Sequence, residues 1–249
     1  MDAKERRFLE ARINEALNIA ETRGVPKFVG FLDLAGITVA GETASRSSVK
    51  YMLYGGYPEA ERVCFGAFPD WCEPEPQMFP ITRLRICNKS TVKLSHRDVL
   101  GALMSAGIER DTVGDILIGD GDPVVFTLPA VAEHIKAHII KIASAGVEIV
   151  EDNETAASVS KRFEEKSGTV ASMSLDCVVS EIADCSRGKA VELIESGMVS
   201  VGGLEVLKIT AEVKCCDIIS VRRMGKFVID ECSRITKKGR IALLYRKYV

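Results

Sequence analysis

The tripeptide His96-Arg97-Asp98 has the composition of a kinase catalytic loop, in which the aspartate takes the proton of a substrate hydroxyl. That chemistry needs an asparagine five residues after the aspartate to hold a metal ion, and position 103 is Leu103. No glycine-rich phosphate loop, VAIK-type lysine or DFG accompanies it. His134 and His138, spaced i, i+4, could clip a metal from one helical face, but Ile135 stands where a zinc protease needs glutamate and no third ligand is evident. Eight cysteines (Cys64, Cys72, Cys87, Cys177, Cys185, Cys215, Cys216 and Cys232) form no CxxC pair. They read as small, reduced, apolar residues rather than as ligands or a disulfide framework. These residues point to no catalytic centre, no metal and no cofactor.

Charge says more. The 249-residue chain has a net charge of −2, yet residues 214–249 hold ten Lys and Arg against three acids, +7, which leaves −9 for the remainder. A basic end on an acidic body suits a polyanionic partner, because binding phosphates releases their counterions. Val, Ile and Phe alternate with these charges, so the basic residues are expected on folded strands. No apolar run reaches the ~18 residues of a membrane span, and the charged N-terminus lacks the apolar stretch of a signal peptide. A cytoplasmic protein with no membrane partner is expected.

The elements that position these residues fall into an α+β arrangement of three small domains. Residues 1–80 read as a mixed α/β domain: an amphipathic first helix, a second helical stretch around 45–53, and a strand over 62–68 that ends at the proline-rich "PDWCEPEPQMFP". Residues 81–152 read as β-α-β-β-α-β. "ITRLRIC" alternates with period two, Ser95 is placed to cap a helix that stops at Gly107, and "GDILIG" and "PVVFTL" flank a turn. A second helix starts at Pro129 and runs through "PAVAEHIKAHIIKIASAG", and "VEIVE" closes as a strand. This order is that of a ferredoxin-like domain, the architecture of RNA-recognition modules, although their stacking aromatics are missing. Residues 153–172 are small and polar, as a linker would be, and 173–249 form the last domain.

In that domain "LDCVVSEIADCSRGKAVELIESGMVSVGG" reads as helix, tight turn, helix, turn, strand. Ser186 sits at an N-cap, and Arg187 and Lys189 lie in the first helical turn, where dipole and free N–H groups favour phosphate. The residues Ser186-Arg187, Ala190, Leu193-Ile194, Gly197, Val199, Val201, Gly203, Asp217, Ile219-Ser220-Val221-Arg222 and Gly225-Lys226-Phe227 resemble the S-four domain, a small RNA-binding unit named after a ribosomal protein. Gly202 and Cys216 depart from that family's usual turn residues. The resemblance implies an RNA surface made by Ser186, Arg187, Lys189, Lys208, Lys214, Arg222, Arg223, Lys226 and Phe227.

The stretch around His96 is similar to one in the YlmH family of bacterial proteins, which carry a C-terminal S-four domain. The matching residues are His96-Arg97-Asp98, Leu100-Gly101-Ala102-Leu103, Gly107-Ile108, Arg110-Asp111 and Gly114-Asp115-Ile116, with "FLD" (31–33) and "GGYPEAER" (55–62) upstream. His96, Arg97, Asp98, Arg110 and Asp115 either form a charge network that pins the helix to the next strand or supply a second RNA contact. The family resemblance implies a non-enzymatic factor that binds rRNA and tRNA on the large ribosomal subunit and steadies peptidyl-tRNA on obstructed subunits in ribosome-associated quality control. It leaves room for a protein partner on the acidic N-terminal domains and implies no DNA. The alternative is an RNA-modifying enzyme that docks through the S-four domain. A pseudouridine synthase needs an Arg-Leu-Asp context and a methyltransferase a glycine-rich cofactor loop after its first strand; neither is present.

Overall fold

The computed structural model describes residues 1–118, 121–152, 163–232, 236 and 239–248. Residues 1–159 and 160–249 form two compact units.

The first unit begins with α1 (Ala3–Arg23). Asp2 and Glu5 close a reciprocal capping box at its start, and Leu9, Ile13, Ala16, Leu17 and Ala20 form its buried stripe. The next elements are β1 (Lys27–Leu32), α2 (Leu34–Ala44), β2 (Lys50–Tyr54) and β3 (Val63–Phe68). The three strands pair antiparallel in the order β1-β3-β2. The second helix is therefore not at 45–53 as the sequence suggested. It starts where Asp33 accepts the Gly36 N–H at 2.9 Å and buries Val39, Ala40 and Ala44, and the chain then extends so that residues 50–54 pair with β3.

Next come β4 (Thr82–Asn88), α3 (His96–Ser105), β5 (Val113–Leu117), β6 (Val124–Thr127), α4 (Pro129–His138), β7 (Lys141–Ile142) and β8 (Ala145–Glu151). Their antiparallel sheet runs β5-β6-β4-β8-β7, so β6 returns beside β4, as the split β-α-β reading requires. Val99 and Leu103 of α3 and Ala132 and Ile135 of α4 pack with Leu84, Ile86, Val147 and Ile149 on one face. The second helix is shorter than the apolar run: it ends at His138, and the hairpin β7–β8 takes over, with Ala143 at φ 51 in its turn. Ile139 and Ile142 are still buried, so the run feeds the same core in a different backbone geometry.

The opposite face of that sheet is not open along β6. Val124 and Phe126 join Phe31, Tyr57, Cys64, Phe68, Cys72 and Phe79 in one core. Residues 1–80 and 81–152, expected as two domains, thus share their hydrophobic interior within one unit. The Tyr57 ring stacks on Phe126 at 5.2 Å and 25°. Gly56 makes this approach possible: its φ is +100°, and a Cβ there would lie 2.3 Å from the Phe126 ring. Buried Cys64 is inert, its thiol pushed up to about 12 by burial against the opposing pull of Arg62.

Asp115 of β5 fixes the approach. Its carboxylate accepts the Tyr57 hydroxyl at 2.6 Å and the backbone N–H groups of Glu61 and Arg62 at 2.7 and 3.0 Å. Burial and the hydrogen bond to Asp115 both raise the Tyr57 pKa, so the phenol stays a donor. The Arg62 guanidinium in turn donates to the carbonyls of Phe31 in β1 and of Arg110 and Val113 at the start of β5. Asp115→Ala leaves three donors without an acceptor and is expected to lower stability by about 3 kcal/mol in urea unfolding, with Tyr57→Phe costing about 1 kcal/mol.

The second unit contains β9 (Phe163–Val170), α5 (Leu175–Ile182), α6 (Arg187–Glu195), β10 (Val199–Val201), β11 (Leu204–Glu205), β12 (Ile218–Val221), β13 (Gly225–Glu231) and β14 (Ile241–Tyr248). One sheet runs β11-β10-β12-β13-β14-β9, with α5 and α6 packed on its core through Leu175, Val178, Val179, Ile182, Ala190 and Ile194. Residues 163–170, expected within a linker, are an edge strand paired with β14 from Phe163↔Tyr248 to Val170↔Ile241. Residues 153–162 of that linker lie outside the described residues, as do Arg234, Lys237 and Lys238 of the basic end. The expectation of uniformly reduced thiols also changes: Cys215 and Cys232 form a disulfide that ties the segment before β12 to the end of β13.

Candidate nucleic-acid interface

Short helices position the predicted basic residues of the second unit. Ser186 caps α6 by accepting the Lys189 N–H at 3.2 Å. Arg187 and Lys189 project from the first turn into solvent, and Lys189 reaches Glu192 at 2.9 Å. Arg187 has a structural task that the sequence reading missed: its Nε donates at 2.6 Å to Asp176, a carboxylate only 3% exposed. Burial opposes ionisation of Asp176, but the Ser174 hydroxyl, Arg187 and the Cys177 N–H outweigh it and hold the pKa below the usual aspartate value. The signal was present in "SLDC": an acid in the first turn of α5, eleven residues before an arginine.

Lys208 and Lys214 belong to the same end of α6. Backbone bonds from Leu175 and Asp176 to Ala211 and Ile209, and from Val213 to Met173, dock the 208–214 segment along the start of α5, where Arg187 also arrives. Arg222 and Arg223 form the β12–β13 turn, with Arg223 at φ 69. The Arg222 N–H bonds to the Met198 carbonyl, which fixes that turn beside the C-terminal end of α6. The predicted residues therefore fall near the two ends of α6, a nine-residue helix about 13 Å long at 1.5 Å per residue. Lys208, Lys214, Arg222 and Arg223 are exposed and make no ion pair among the described residues. Lys226 lies 4.6 Å over the Tyr248 ring.

Phe227 has a different role from the predicted one. It is 1% exposed, at the centre of the core beside Tyr245, with Lys247 over its ring. Strand alternation explains the error: Lys226 and Phe227 are neighbours in sequence and face opposite sides.

In the first unit the His96 segment divides the same way. Asp98 is turned back onto Ser95, accepting from its N–H and hydroxyl at 2.9 and 2.6 Å, and these bonds lower its pKa. Arg110 is half-buried and donates to the Val113 and Gly114 carbonyls, and burial lowers its pKa. Asp115 is committed to Tyr57, Glu61 and Arg62. Each of the three has its own partners, Asp98 at the cap of α3, Arg110 on the start of β5 and Asp115 on residues 57–62, whereas His96 and Arg97 are exposed on the first turn of α3. Tyr57 and Arg62, both within the "GGYPEAER" segment, were not singled out from the sequence. His134 and His138 stack at 4.1 Å, and among the described residues no group of three His, Cys, Asp or Glu could hold a metal.

The Asp176–Arg187 pair has a pH signature. A lowered carboxylate pKa contributes stability above the ordinary aspartate value of about 3.9, and that stability is lost as the pH falls from there through the lowered folded value. Asp176→Asn is expected to flatten the acid limb of the unfolding curve. Arg187→Ala should lower the urea midpoint, whereas Arg222→Ala should leave it unchanged.

Comparison with known proteins adds to this geometry. Residues 74–156 match the family model described as "Putative RNA-binding domain in YlmH". The chain is 26% identical over 246 residues to the Ribosome-associated protein quality control protein P2 of Bacillus subtilis (strain 168), covering 98% of this chain and 95% of that one. Among solved structures, the Cell division protein ylmH from Streptococcus pneumoniae superposes with a TM-score of 0.53 at 19% identity, over 61% of this chain and 93% of that chain, a likeness of fold. On these findings the chain is similar to YlmH proteins, over residues 74–156 by the family model and along nearly its whole length by the Bacillus subtilis relative.

Proposed function

We propose that this protein binds RNA in ribosome-associated quality control, without chemistry of its own, and that it contacts rRNA and tRNA on the large ribosomal subunit to hold peptidyl-tRNA on obstructed subunits. The observation that carries this reading is the set of exposed basic residues that make no ion pair among the described residues, Lys208 and Lys214 near one end of α6 and Arg222 and Arg223 near the other. Cations that are not neutralised at home are those that release counterions when they meet phosphate. Cations near both ends of a helix about 13 Å long suit a folded RNA surface better than one isolated anion. The relative named for ribosome-associated quality control, matched along nearly the whole chain, supports the ribosomal context. In this reading the helix–turn–helix and the strands after it are an S-four domain, and the protein works in the cytoplasm. No helix of the described residues is long and apolar enough to cross a membrane.

The test is sucrose-gradient sedimentation of tagged protein from lysate, with the co-migrating RNA sequenced. Wild type is expected with free large subunits that carry peptidyl-tRNA, and the Arg222→Glu/Arg223→Glu variant at the top of the gradient. This pair is preferred to Arg187, whose removal also unpairs Asp176. Wild type found only at the top would refute the ribosomal assignment.

A further inference from the structure

We propose that the first unit makes its own RNA contact through the loop entering α3, with Lys93 and Arg97 as phosphate contacts and His96 beside them, and that it does not use the sheet face on which RNA-recognition modules bind. This deepens the RNA-binding reading above and rests on it.

Modules of this topology ordinarily read RNA on the open face of the sheet, where aromatic side chains of the two central strands stack on bases. The central strands here are β4 and β6. Phe126, the outward aromatic on β6, is 1% exposed beneath Tyr57, and Val124 is 8% exposed in the same core. The chain has placed its own ring where a base would stack. The outward residues of β4 are no better placed. Arg83 and Arg85 both converge on the buried Asp152, at 3.2 and 3.0 Å, and Lys89 after the strand meets Glu148 at 2.9 Å. These cations are already neutralised.

The loop differs on each count. Residues 89–97 hold Lys89, Lys93 and Arg97 and no acid, within a unit that carries 17 Lys and Arg against 23 Asp and Glu over residues 1–159. Lys93, His96 and Arg97 are exposed and make no ion pair among the described residues. Of the nearby carboxylates, Asp98 is turned onto Ser95 and still feels the Arg97 charge, Asp122 accepts the Asn88 N–H and Glu148 meets Lys89. The loop is also held in shape. The Asn88 side chain accepts from Ser90 and donates to the Val92 carbonyl at 2.6 Å, while Leu94, 5% exposed, anchors it in the core. A preformed loop gives up little entropy on binding. Val92, 44% exposed between the two anchors, offers an apolar contact to a ribose or base.

The experiment uses the full chain and measures fluorescence anisotropy with bulk bacterial tRNA and co-sedimentation with purified large subunits, both from about 50 to 200 mM salt. Lys93→Glu/Arg97→Glu is compared with wild type and with Arg222→Glu/Arg223→Glu, and circular dichroism establishes that each variant is folded. Loss of two phosphate contacts should reduce the slope of log K against log salt by about 2, so that the wild-type advantage shrinks about tenfold across that salt range. A Lys93/Arg97 variant with wild-type affinity and slope on both probes, beside an Arg222/Arg223 variant that fails, overturns the loop and leaves the RNA-binding reading standing. A wild type that binds neither probe at any salt overturns both. Photo-crosslinks from position 93 that lead to a ribosomal protein rather than to RNA also overturn the proposal.

Discussion

The carboxylate of Asp115 is the point on which the first 152 residues depend. It gathers a phenol and two backbone N–H groups from the loop between β2 and β3 and holds them to a strand of the second sheet. Arg62, brought in by that attachment, spreads its donors over carbonyls of Phe31, Arg110 and Val113. Two sheets whose hydrophobic faces meet at right places can still slide; polar groups with fixed directions prevent it. The consequence reaches the aromatic core, because the same loop delivers Tyr57 onto Phe126. Gly30 and Gly114 serve the same junction: a Cβ on Gly30 would lie 2.6 Å from the Asp111 carbonyl oxygen, and one on Gly114 would meet the Phe31 ring at 2.6 Å.

In the second unit a single buried acid does comparable work. Asp176 joins the start of α5 to the start of α6 through Arg187, and its backbone N–H takes the Ile209 carbonyl. The basic residues nearest it are therefore arranged around a negative charge, and Arg187 is partly discounted as a phosphate ligand by that neighbour. Arg222 and Arg223 meet no such acid among the described residues. Backbone bonds from the Arg222 and Met224 N–H groups hold their turn.

How far the sequence could be read follows from the range of the forces involved. Local signals read well: the period-two run of β4, the Ser95 and Ser186 caps, and the proline that opens α4 all lie where the structure uses them. Long-range pairing did not. Residues 163–170 carry the charged composition of a connector, and only β14, more than seventy residues away, makes them a strand. The helix 34–44 was hidden by its two glycines and β-branched residues, although Asp33 stood ready to cap it. Among the proposed contacts, exposure was legible for the cations and not for Phe227, because adjacent residues on a strand part company at the pleat. Which cations keep their charge for a partner was invisible as well, since Asp176 and Asp152 reach their arginines only through the fold.

The stacking of Tyr57 on Phe126 bears on what counts as a module in this chain. The stretch that matches the RNA-binding family model begins at residue 74, so that boundary passes between the two rings. A piece excised along it would keep β4 to β8 and lose the lid, baring Phe126 and Val124 on a flat apolar face. Such a face adheres to itself and to stacked bases alike. The stretch matched by the family model and the body that folds as one are thus different objects, and the adhesiveness of the former would say little about the latter.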